Sequence, residues 1–460
     1  MTDSYDAIIV GAGHNGLVCA TYLAREGRKV LVVEAGDSPG GAAASREFAP
    51  GYSVSSCAHW LYQLHPQVSR DLELERHGLQ WAARDIASLL LDASGEHLSL
   101  LGSQVEGARL TGEDREAWRG FHEKTGKYAK LLGKVFESRP PKLVESNLTD
   151  RLTLLKLGLG LKLLGREDMS DLMRIILTNM YDLMEEHFES PQLKALLSFD
   201  SVLGARMGPR TPNTVFTYLH RRVGEVFGFN GVSQVAGGMG ALGDAMAASA
   251  RSRGVELRLG ARVSTIDMIN GRAAGVTLEA GEQFRAPVVV SNADPVTTFE
   301  KLVGFRNMET GMARRVSQLR CAGGAAKLHL ALDGLPRFTG LDHSQLGQRL
   351  VIAPDMNYIE RAFNAVKYGD YSASPALDIS VSSVNDPASA PPGCHVLSAI
   401  VQFAPYEPDG GWEAASAVEG ETHREHFTRL ILERIEEYAP GISQQVVASQ
   451  LPVSYTHLRA

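Results

Sequence analysis

The chain has 460 residues, of which 46 are Lys or Arg and 53 are Asp or Glu, and its formal net charge at pH 7 is −7. A mildly acidic chain lacks the basic face that contacts phosphate, which argues against a nucleic-acid-binding protein. The hydrophobic content of 44% suffices for two or three packed domains and excludes a disordered chain. Glycine is common, with 46 residues against a usual share of about 7%, and the places where it concentrates are informative.

The cysteines and the apolar segments exclude further classes. Four cysteines are scattered without a Cys-x-x-Cys pair, which argues against a disulfide framework, a zinc site and a redox dithiol. The N-terminus shows no secretory signal. We therefore predict a soluble protein without a metal site, located in the cytoplasm or, for a eukaryotic source, in the mitochondrial matrix.

The most apolar run is residues 152–164 (LTLLKLGLGLKLL). It is shorter than the ~18–20 residues of a membrane-spanning helix, and it contains Lys156 and Lys162. Core packing is the favoured interpretation of this run. The alternative is a lid or a membrane-surface helix that gathers a lipophilic substrate.

A dinucleotide-binding unit is predicted at the start of the chain. Residues 6–10 (DAIIV) are typical of a buried parallel strand, and residues 11–16 (GAGHNG) follow as a Gly-x-Gly-x-x-Gly loop that opens a helix. A second strand over residues 29–34 (KVLVVE) ends in Glu34. In such a unit the glycines permit the tight turn, the close approach to pyrophosphate and the helix–strand packing, while the acid accepts the ribose hydroxyls.

The next segment favours FAD over NAD. Gly40 and Gly41 form a second glycine pair among the small residues 35–45 (AGDSPGGAAAS), which suits a backbone that lies along an extended cofactor. The chain then continues through an irregular, aromatic segment, residues 50–66 (PGYSVSSCAHWLYQLHP). An NAD domain would form a regular helix and a third strand there.

The remaining elements are predicted from hydrophobic periodicity and turn residues. Helices are expected at residues 67–83, at 113–136, across most of 141–225 and at 417–439, with strands near 87–100, 255–286, 287–292, 321–333 and 394–405. Residues 238–243 (GMGALG) match the glycine motif a second time. We interpret them as a glycine-rich helix entry near the cofactor, because no convincing strand precedes them and no acid follows at the right distance.

These elements predict an α/β protein with a discontinuous nucleotide domain. Its first part is residues 1–85 and its second part is residues 229–300. A second domain is inserted, with a mostly helical part at residues 86–228 and another part at residues 301–452.

Several ordered blocks carry a resemblance to a known family: VGAGHNGL, GRKVLVVEAGDSPGGAA, RDLELERHGL, VAGGMGALGDAM, VVVSNADP and APPGCHVLSAIVQFAPYE. Together they resemble the phytoene-dehydrogenase-related FAD-dependent oxidoreductases, in particular the pyridine nucleotide-disulfide oxidoreductase domain-containing protein 2 subgroup, over nearly all of residues 5–450. The resemblance implies a glutathione-reductase-like, Rossmann-type FAD domain, an α+β substrate domain and redox chemistry at the flavin N5. The FAD contacts that it implies are Gly11, Gly13, Gly16, Glu34, Gly40, Gly41, Ala42, Ser45 and Val263.

No catalytic side chain is assigned, but four side chains are candidates. His59 and Trp60 could face the flavin, although a packed aromatic patch is the favoured interpretation. Lys327 could approach the flavin or, at least equally, reach solvent, and His14 is interpreted as capping or lining the phosphate turn.

The predicted function is hydride transfer between the flavin N5 and an apolar small molecule, polyene or lipid-like, with peripheral membrane contact as a further expectation. The alternative is a flavin-fold protein with little catalysis that binds a redox or membrane-associated partner. The identity of the substrate, the electron acceptor and the oligomeric state stay open.

The C-terminus departs from the family pattern. The resemblance implies a further strand and a glycine-rich segment that covers the flavin, whereas this chain ends in SQLPVSYTHLRA. Residues 453–460 resemble the translation of a transposase-based sequencing adapter. We therefore expect a C-terminally truncated chain with an artefactual tail at residues 453–460 and an incomplete flavin pocket.

Overall fold

The computed structural model describes residues 4–144, 147–320 and 323–453. Its strands, in chain order, are β1 (Ala7–Val10), β2 (Val30–Val33), β3 (Ser45–Ala49), β4 (Tyr52–Ser55), β5 (Trp81–Ile86), β6 (Ser88–Leu90), β7 (Leu98–Leu101), β8 (Gln104–Gly107), β9 (Val232–Val235), β10 (Glu256–Arg258), β11 (Val263–Ile269), β12 (Arg272–Leu278), β13 (Gln283–Arg285), β14 (Val289–Ser291), β15 (Ala325–Leu332), β16 (Arg349–Ile352), β17 (Ala376–Ser380), β18 (His395–Gln402) and β19 (Val446–Gln450).

The α-helices, numbered in the same way, are α1 (His14–Arg25), α2 (Pro66–Asp71), α3 (Gly112–Phe136), α4 (Leu148–Leu163), α5 (Arg166–Ile175), α6 (Met180–His187), α7 (Pro191–Val202), α8 (Thr214–Val226), α9 (Met239–Ser252), α10 (Thr310–Ser317), α11 (Met356–Lys367), α12 (Ser382–Asn385), α13 (His423–Glu436) and α14 (Ile442–Gln445). Within the ranges that the structure describes, no helix has both the length and the apolar character needed to cross a bilayer.

A parallel sheet in the order β10-β2-β1-β14 joins the start of the chain to residues 256–291. Every residue of β1 and β2 is buried, as expected for parallel strands covered on both faces. Ile9 and Val32 pack with α1 and α9, whereas Ile8 and Leu31 pack with the antiparallel sheet β11-β12-β13. The predicted α/β class with a Rossmann-type sheet is confirmed.

A larger mixed sheet in the order β19-β15-β18-β17-β16-β6-β7-β8 combines strands from residues 88–107 with strands from residues 325–450. One face packs against the helices α3, α5 to α8 and α11, and the other face packs against α13. The positions of the strands in the two sheets agree with a nucleotide unit interrupted by an insertion, while the domain boundaries given above stay a prediction.

Two local expectations are wrong. The helix predicted at residues 67–83 ends at Asp71, because Glu73 and Gly78 adopt positive φ angles of 50° and 103°. Residues 81–86 instead form β5, which pairs with β9. The segment after the second glycine pair is also less irregular than predicted, since β3 and β4 form an antiparallel hairpin.

The truncation stays a prediction. Residues 454–460 of the expected tail lie outside the described residues, as does Cys321. Val453, the first residue of that tail, is buried and pairs with Ala326 of β15.

Candidate functional site

The first glycine loop joins β1 to α1 by close backbone packing. Gly11 has a φ of 99°, in the left-handed region that favours glycine. A Cβ on Gly13 would lie 2.5 Å from Nδ2 of Asn292, and a Cβ on Gly16 would lie 2.3 Å from the carbonyl oxygen of Gly11. The first turn of α1 contains no acidic residue, so its N-terminal N–H groups and partial positive charge are available to an anion such as pyrophosphate.

The second glycine pair lies against this loop. The Gly40 N–H donates to the carbonyl of Ala12 at 2.8 Å, and Gly40 forms a parallel β-bridge with Gly13. A Cβ on Gly41 would lie 3.0 Å from the Gly13 Cα. Ala42 follows in an exposed position of the 3-10 turn Gly41–Ala43. Two glycine segments that are separate in sequence therefore form one backbone cradle.

Glu34 stands at the carboxyl end of β2, beside the cradle. Its Oε2 accepts the Ala12 N–H at 2.6 Å, and its Oε1 accepts the Gly36 N–H at 2.9 Å. Its carbonyl accepts the Ala261 N–H at 2.7 Å, which places Val263, at the start of β11, in the same part of the molecule. A carboxylate oxygen has two lone pairs, so Glu34 keeps acceptor capacity for ribose hydroxyls.

The third glycine segment is a helix entry, as the sequence indicated. The expectation that no strand precedes it is wrong, since the buried strand β9 does. The N–H groups of Met239 and Gly240, at the start of α9, donate to the hydroxyls of Ser55 and Ser45 at 3.0 and 2.8 Å. A Cβ on Gly243 would lie 2.7 Å from the Gly40 Cα. The hydroxyl of Ser45, an expected cofactor contact, therefore caps α9 in this structure.

A cavity of about 160 Å³ lies between these elements and the larger sheet. It is rich in hydroxyl groups, and its lining includes Ser45, Ser55, His59, Gln234, Ser380 and Ser398. It is smaller than the roughly 300–1,000 Å³ of a pocket that encloses a drug-sized molecule.

A buried charged cluster adjoins the cavity. Arg349 is fully buried; its Nε donates to Asp378 Oδ2 at 2.9 Å, and its Nη1 lies 2.7 Å from Asp200 Oδ1. Burial by itself would raise the pKa of Asp378, but the Arg349 guanidinium and His59 hold that pKa below its usual range. Trp60 Nε1 donates to the same carboxylate at 3.1 Å.

His59 connects this cluster to the cavity, and Lys327 is bonded to the backbone of Ser55, a residue that lines the cavity. His59 Nε2 lies 3.4 Å from Asp378 Oδ1, and burial lowers the pKa of His59 to about 4, so this imidazole is neutral at pH 7. Lys327 Nζ donates to the carbonyls of Ser55 and Cys57, both at 2.7 Å. Burial lowers the pKa of Lys327 to about 7, which places its proton exchange near neutral pH.

The candidate side chains can now be compared with the expectations from the sequence. Lys327 is 3% exposed, so the expectation that it reaches solvent is wrong. His59 and Trp60 do pack edge to face, with ring centroids 5.4 Å apart, but both also contact the buried carboxylate. His14 is exposed at the start of α1, and the interpretation that it caps or lines the phosphate turn stays a prediction.

Sequence reasoning missed Asp378, Arg349 and Asn292. The two charged residues lie in strands that otherwise consist of apolar and small residues (RLVI and ALDIS). A charge in such a strand requires a buried partner, and this signal could have singled both residues out.

The residues that converge here fit a dinucleotide that carries a redox ring. The backbone cradle suits pyrophosphate and Glu34 suits a ribose. Ionisable groups with shifted pKa values border the cavity beyond them. The group of ligands needed for a metal ion is absent from the described ranges.

Comparison with known proteins extends this picture. The profile of the flavin containing amine oxidoreductase family matches residues 16–407. The chain is 33% identical to pyridine nucleotide-disulfide oxidoreductase domain-containing protein 2 of Mus musculus, over 97% of this chain and 81% of that protein. It is 24% identical to phytoene desaturase (neurosporene-forming) of Rhodobacter capsulatus, over 96% of this chain and 79% of that protein. The fold is similar to that of cyclohexylamine oxidase from Brevibacterium oxydans, with a TM-score of 0.57 and 16% identity, over 97% of this chain and 84% of that one.

Proposed function

Because this chain belongs to the flavin containing amine oxidoreductase family and is an FAD-dependent oxidoreductase, we propose that it takes hydride from an apolar small molecule, polyene or lipid-like. The predictions of FAD and of an oxidoreductase are confirmed by the family, and the class of substrate is the proposal. It is supported by the relatives that share most of the chain length, which include a phytoene desaturase. Cyclohexylamine oxidase shares the fold at 16% identity, and this likeness is not evidence for an amine substrate.

We propose that the cofactor contacts are the residues expected from the sequence. Gly13, Gly16 and Gly41 would hold the pyrophosphate by backbone N–H groups, and Glu34 would accept the adenosine ribose hydroxyls. Gly11 and Gly40, whose N–H groups donate to the carbonyls of Val33 and Ala12, would contribute the turn and the close backbone approach. Ala42, Ser45 and Val263 would border the cofactor through backbone atoms. The cradle formed by the two glycine segments supports this assignment.

FAD supplies a hydride acceptor at the N5 of its ring. Removal of two hydrogens from a carbon–carbon bond also releases a proton, for which the protein needs a base. Neutral Lys327 would donate its two N–H groups to the carbonyls of Ser55 and Cys57 and would keep one lone pair for that proton. A pKa of about 7 suits this exchange at neutral pH.

His59 would serve as a positioning residue. Its neutral ring beside the ionised Asp378 favours the tautomer with the proton on Nε2, because a carboxylate accepts hydrogen bonds and does not donate them. Nδ1 would then be an acceptor at the cavity wall. The small volume of the cavity admits the reacting end of a long substrate, and peripheral membrane contact would provide the apolar remainder with a non-aqueous environment.

The experiment is reduction of the purified protein under anaerobic conditions. Bound flavin is first identified by its absorbance spectrum and by its release on denaturation. A polyene, a fatty acyl lipid, a primary amine and an alcohol are then tested separately. We expect bleaching of the flavin band by the polyene or the lipid, followed by reoxidation in a screen of oxygen, a quinone and a nicotinamide.

Bleaching by the amine alone would contradict the proposed substrate class. Retention of flavin without bleaching by any compound would favour the alternative, a flavin-fold protein that acts by binding a partner. Lys327→Met is the matched variant, since the methionine side chain matches lysine as far as Cε and lacks the amine. We expect this variant to retain flavin but to bleach at least about tenfold more slowly.

A further inference from the structure

Helix α4 has two apolar faces, and only one of them packs against the protein. Leu161 packs with the core that α3 helps to form, and a Cβ on Gly160 would lie 2.8 Å from the Leu131 side chain. The opposite face carries leucines at intervals of three and four residues, which share one side of a helix: Leu148, Leu152, Leu155, Leu159 and Leu163. We call these five residues the leucine face.

The leucine face is exposed along the full length of α4. The exposed fraction is 74% for Leu148, 68% for Leu155 and 76% for Leu163. The favoured expectation of core packing for residues 152–164 is therefore wrong for this face. A row of apolar side chains of this length on one helix face marks an interaction surface.

Cations lie on both edges of the leucine face. At 3.6 residues per turn, Lys156 projects beside one edge, and Lys162 projects beside the other edge. Both residues are exposed. Asp150 is the one acid within Leu148–Leu163, and it is turned inwards, where its Oδ1 accepts from Arg139 at 2.9 Å. The face is thus locally basic in a chain whose net charge is −7.

We propose that α4 lies on an anionic lipid surface, with the leucine face in the acyl boundary and the two lysines at the headgroup phosphates. An amphipathic helix with apolar residues on one face and cations at its edges has the arrangement of interfacial helices, and long cationic side chains can extend from such a face to the headgroups. A second copy of the chain fits less well, because face-to-face packing would bring the cations of both copies together. The assignment specifies the membrane contact included in the proposed function.

Sedimentation with vesicles tests this surface without any substrate. The purified full-length chain is mixed with vesicles of phosphatidylcholine alone or of phosphatidylcholine with phosphatidylglycerol. We expect at least about tenfold tighter binding to the anionic vesicles, and weaker binding as salt is added. The double variant Leu155→Glu, Leu159→Glu should lose binding to both vesicle types, and Lys156→Glu, Lys162→Glu should lose the preference for anionic lipid.

The control is Ile269→Glu, which introduces one carboxylate at an apolar residue that is 62% exposed in β11 and should leave binding unchanged. The flavin spectrum and the circular dichroism of each variant establish that it is folded. The proposal is overturned if the unaltered chain stays in the supernatant, if the leucine variant binds like the unaltered chain, or if that variant instead abolishes a dimer. A failure of substrate turnover leaves these readings unaffected, so the two proposals fail separately.

Discussion

The glycine cradle and the charged cluster differ in the kind of atoms that form them. The cradle consists of backbone from residues 11–16 and 40–41, and its fit depends on the absence of Cβ atoms. The cluster consists of side chains from distant segments, with Arg349 between Asp200 and Asp378. The first region should therefore be sensitive to added volume, and the second region should be sensitive to a change of charge.

The largest effect is expected in the cluster, from Arg349→Met. The substitution preserves much of the side-chain volume but leaves the fully buried Asp378 without a guanidinium contact, while Asp200 keeps Arg221 at 3.4 Å. Breaking a buried ion pair from one side costs about 3–5 kcal/mol. The free energy of unfolding, measured in denaturant, should fall by this amount.

Arg429→Met is the control for this prediction. Arg429 also binds two carboxylates, those of Glu421 and Glu433, but it is 41% exposed, so the loss of its charge should change the unfolding free energy little. Equal effects of the two substitutions would show that burial does not distinguish the two networks.

The next prediction is that Lys327 makes the free energy of unfolding depend on pH. Burial lowers the pKa of Lys327 from 10.5 to about 7. Between these values the unfolded chain binds a proton that the folded chain does not, so the unfolding free energy should rise with pH from about 7 to 10.5. Lys327→Met should remove this rise. If the two proteins show the same slope between these pH values, Lys327 is not buried in its neutral form.

A smaller effect is expected in the cradle, from Gly16→Ala. The new Cβ would lie 2.3 Å from the Gly11 carbonyl oxygen, and such overpacking costs about 1–3 kcal/mol. Gly120→Ala is the matched control, since this glycine lies in α3 with open space around its Cβ position. It should stabilise the protein by about 0.5–1 kcal/mol. The Tm should therefore fall in the Gly16 variant and rise in the Gly120 variant. A shift of both Tm values in the same direction would contradict the packing shown for Gly16.

The same contrast explains how far the sequence could predict the structure. The cradle was predictable because its strand, loop, helix and acid are consecutive over residues 6–34, and each part has a local signature. The cluster was not, because His59 and Asp378 are far apart in the chain and meet only when the larger sheet forms. Lys327 illustrates the difficulty: β15 lies between β19 and β18, and its neighbours in the sheet decide that the side chain is buried.

The leucine-rich run shows a second limit of sequence reasoning. Leucines occupy both the inward face of α4, at Leu157 and Leu161, and the outward face, at Leu155 and Leu159. A pattern with two apolar faces indicates a helix but does not show which face packs. The choice depends on where α3 lies, which is a property of the tertiary structure.

The smallest effect, and the one that tests the cofactor assignment most directly, is expected from Glu34→Gln. The substitution keeps the shape of the side chain, but the amide places an NH2 group at one of the two positions where the carboxylate oxygens accept from Ala12 and Gly36. Hydrogen bonds to a charged acceptor are worth about 1.5–3 kcal/mol. Because the amide binds the ribose hydroxyls of FAD more weakly than the carboxylate does, the Kd for FAD should rise about tenfold. Glu26→Gln, at the C-terminal end of α1, is the control and should leave the Kd unchanged. Unchanged FAD affinity in the Glu34 variant would mean that this carboxylate serves only the backbone of the loop, and that the ribose is held elsewhere.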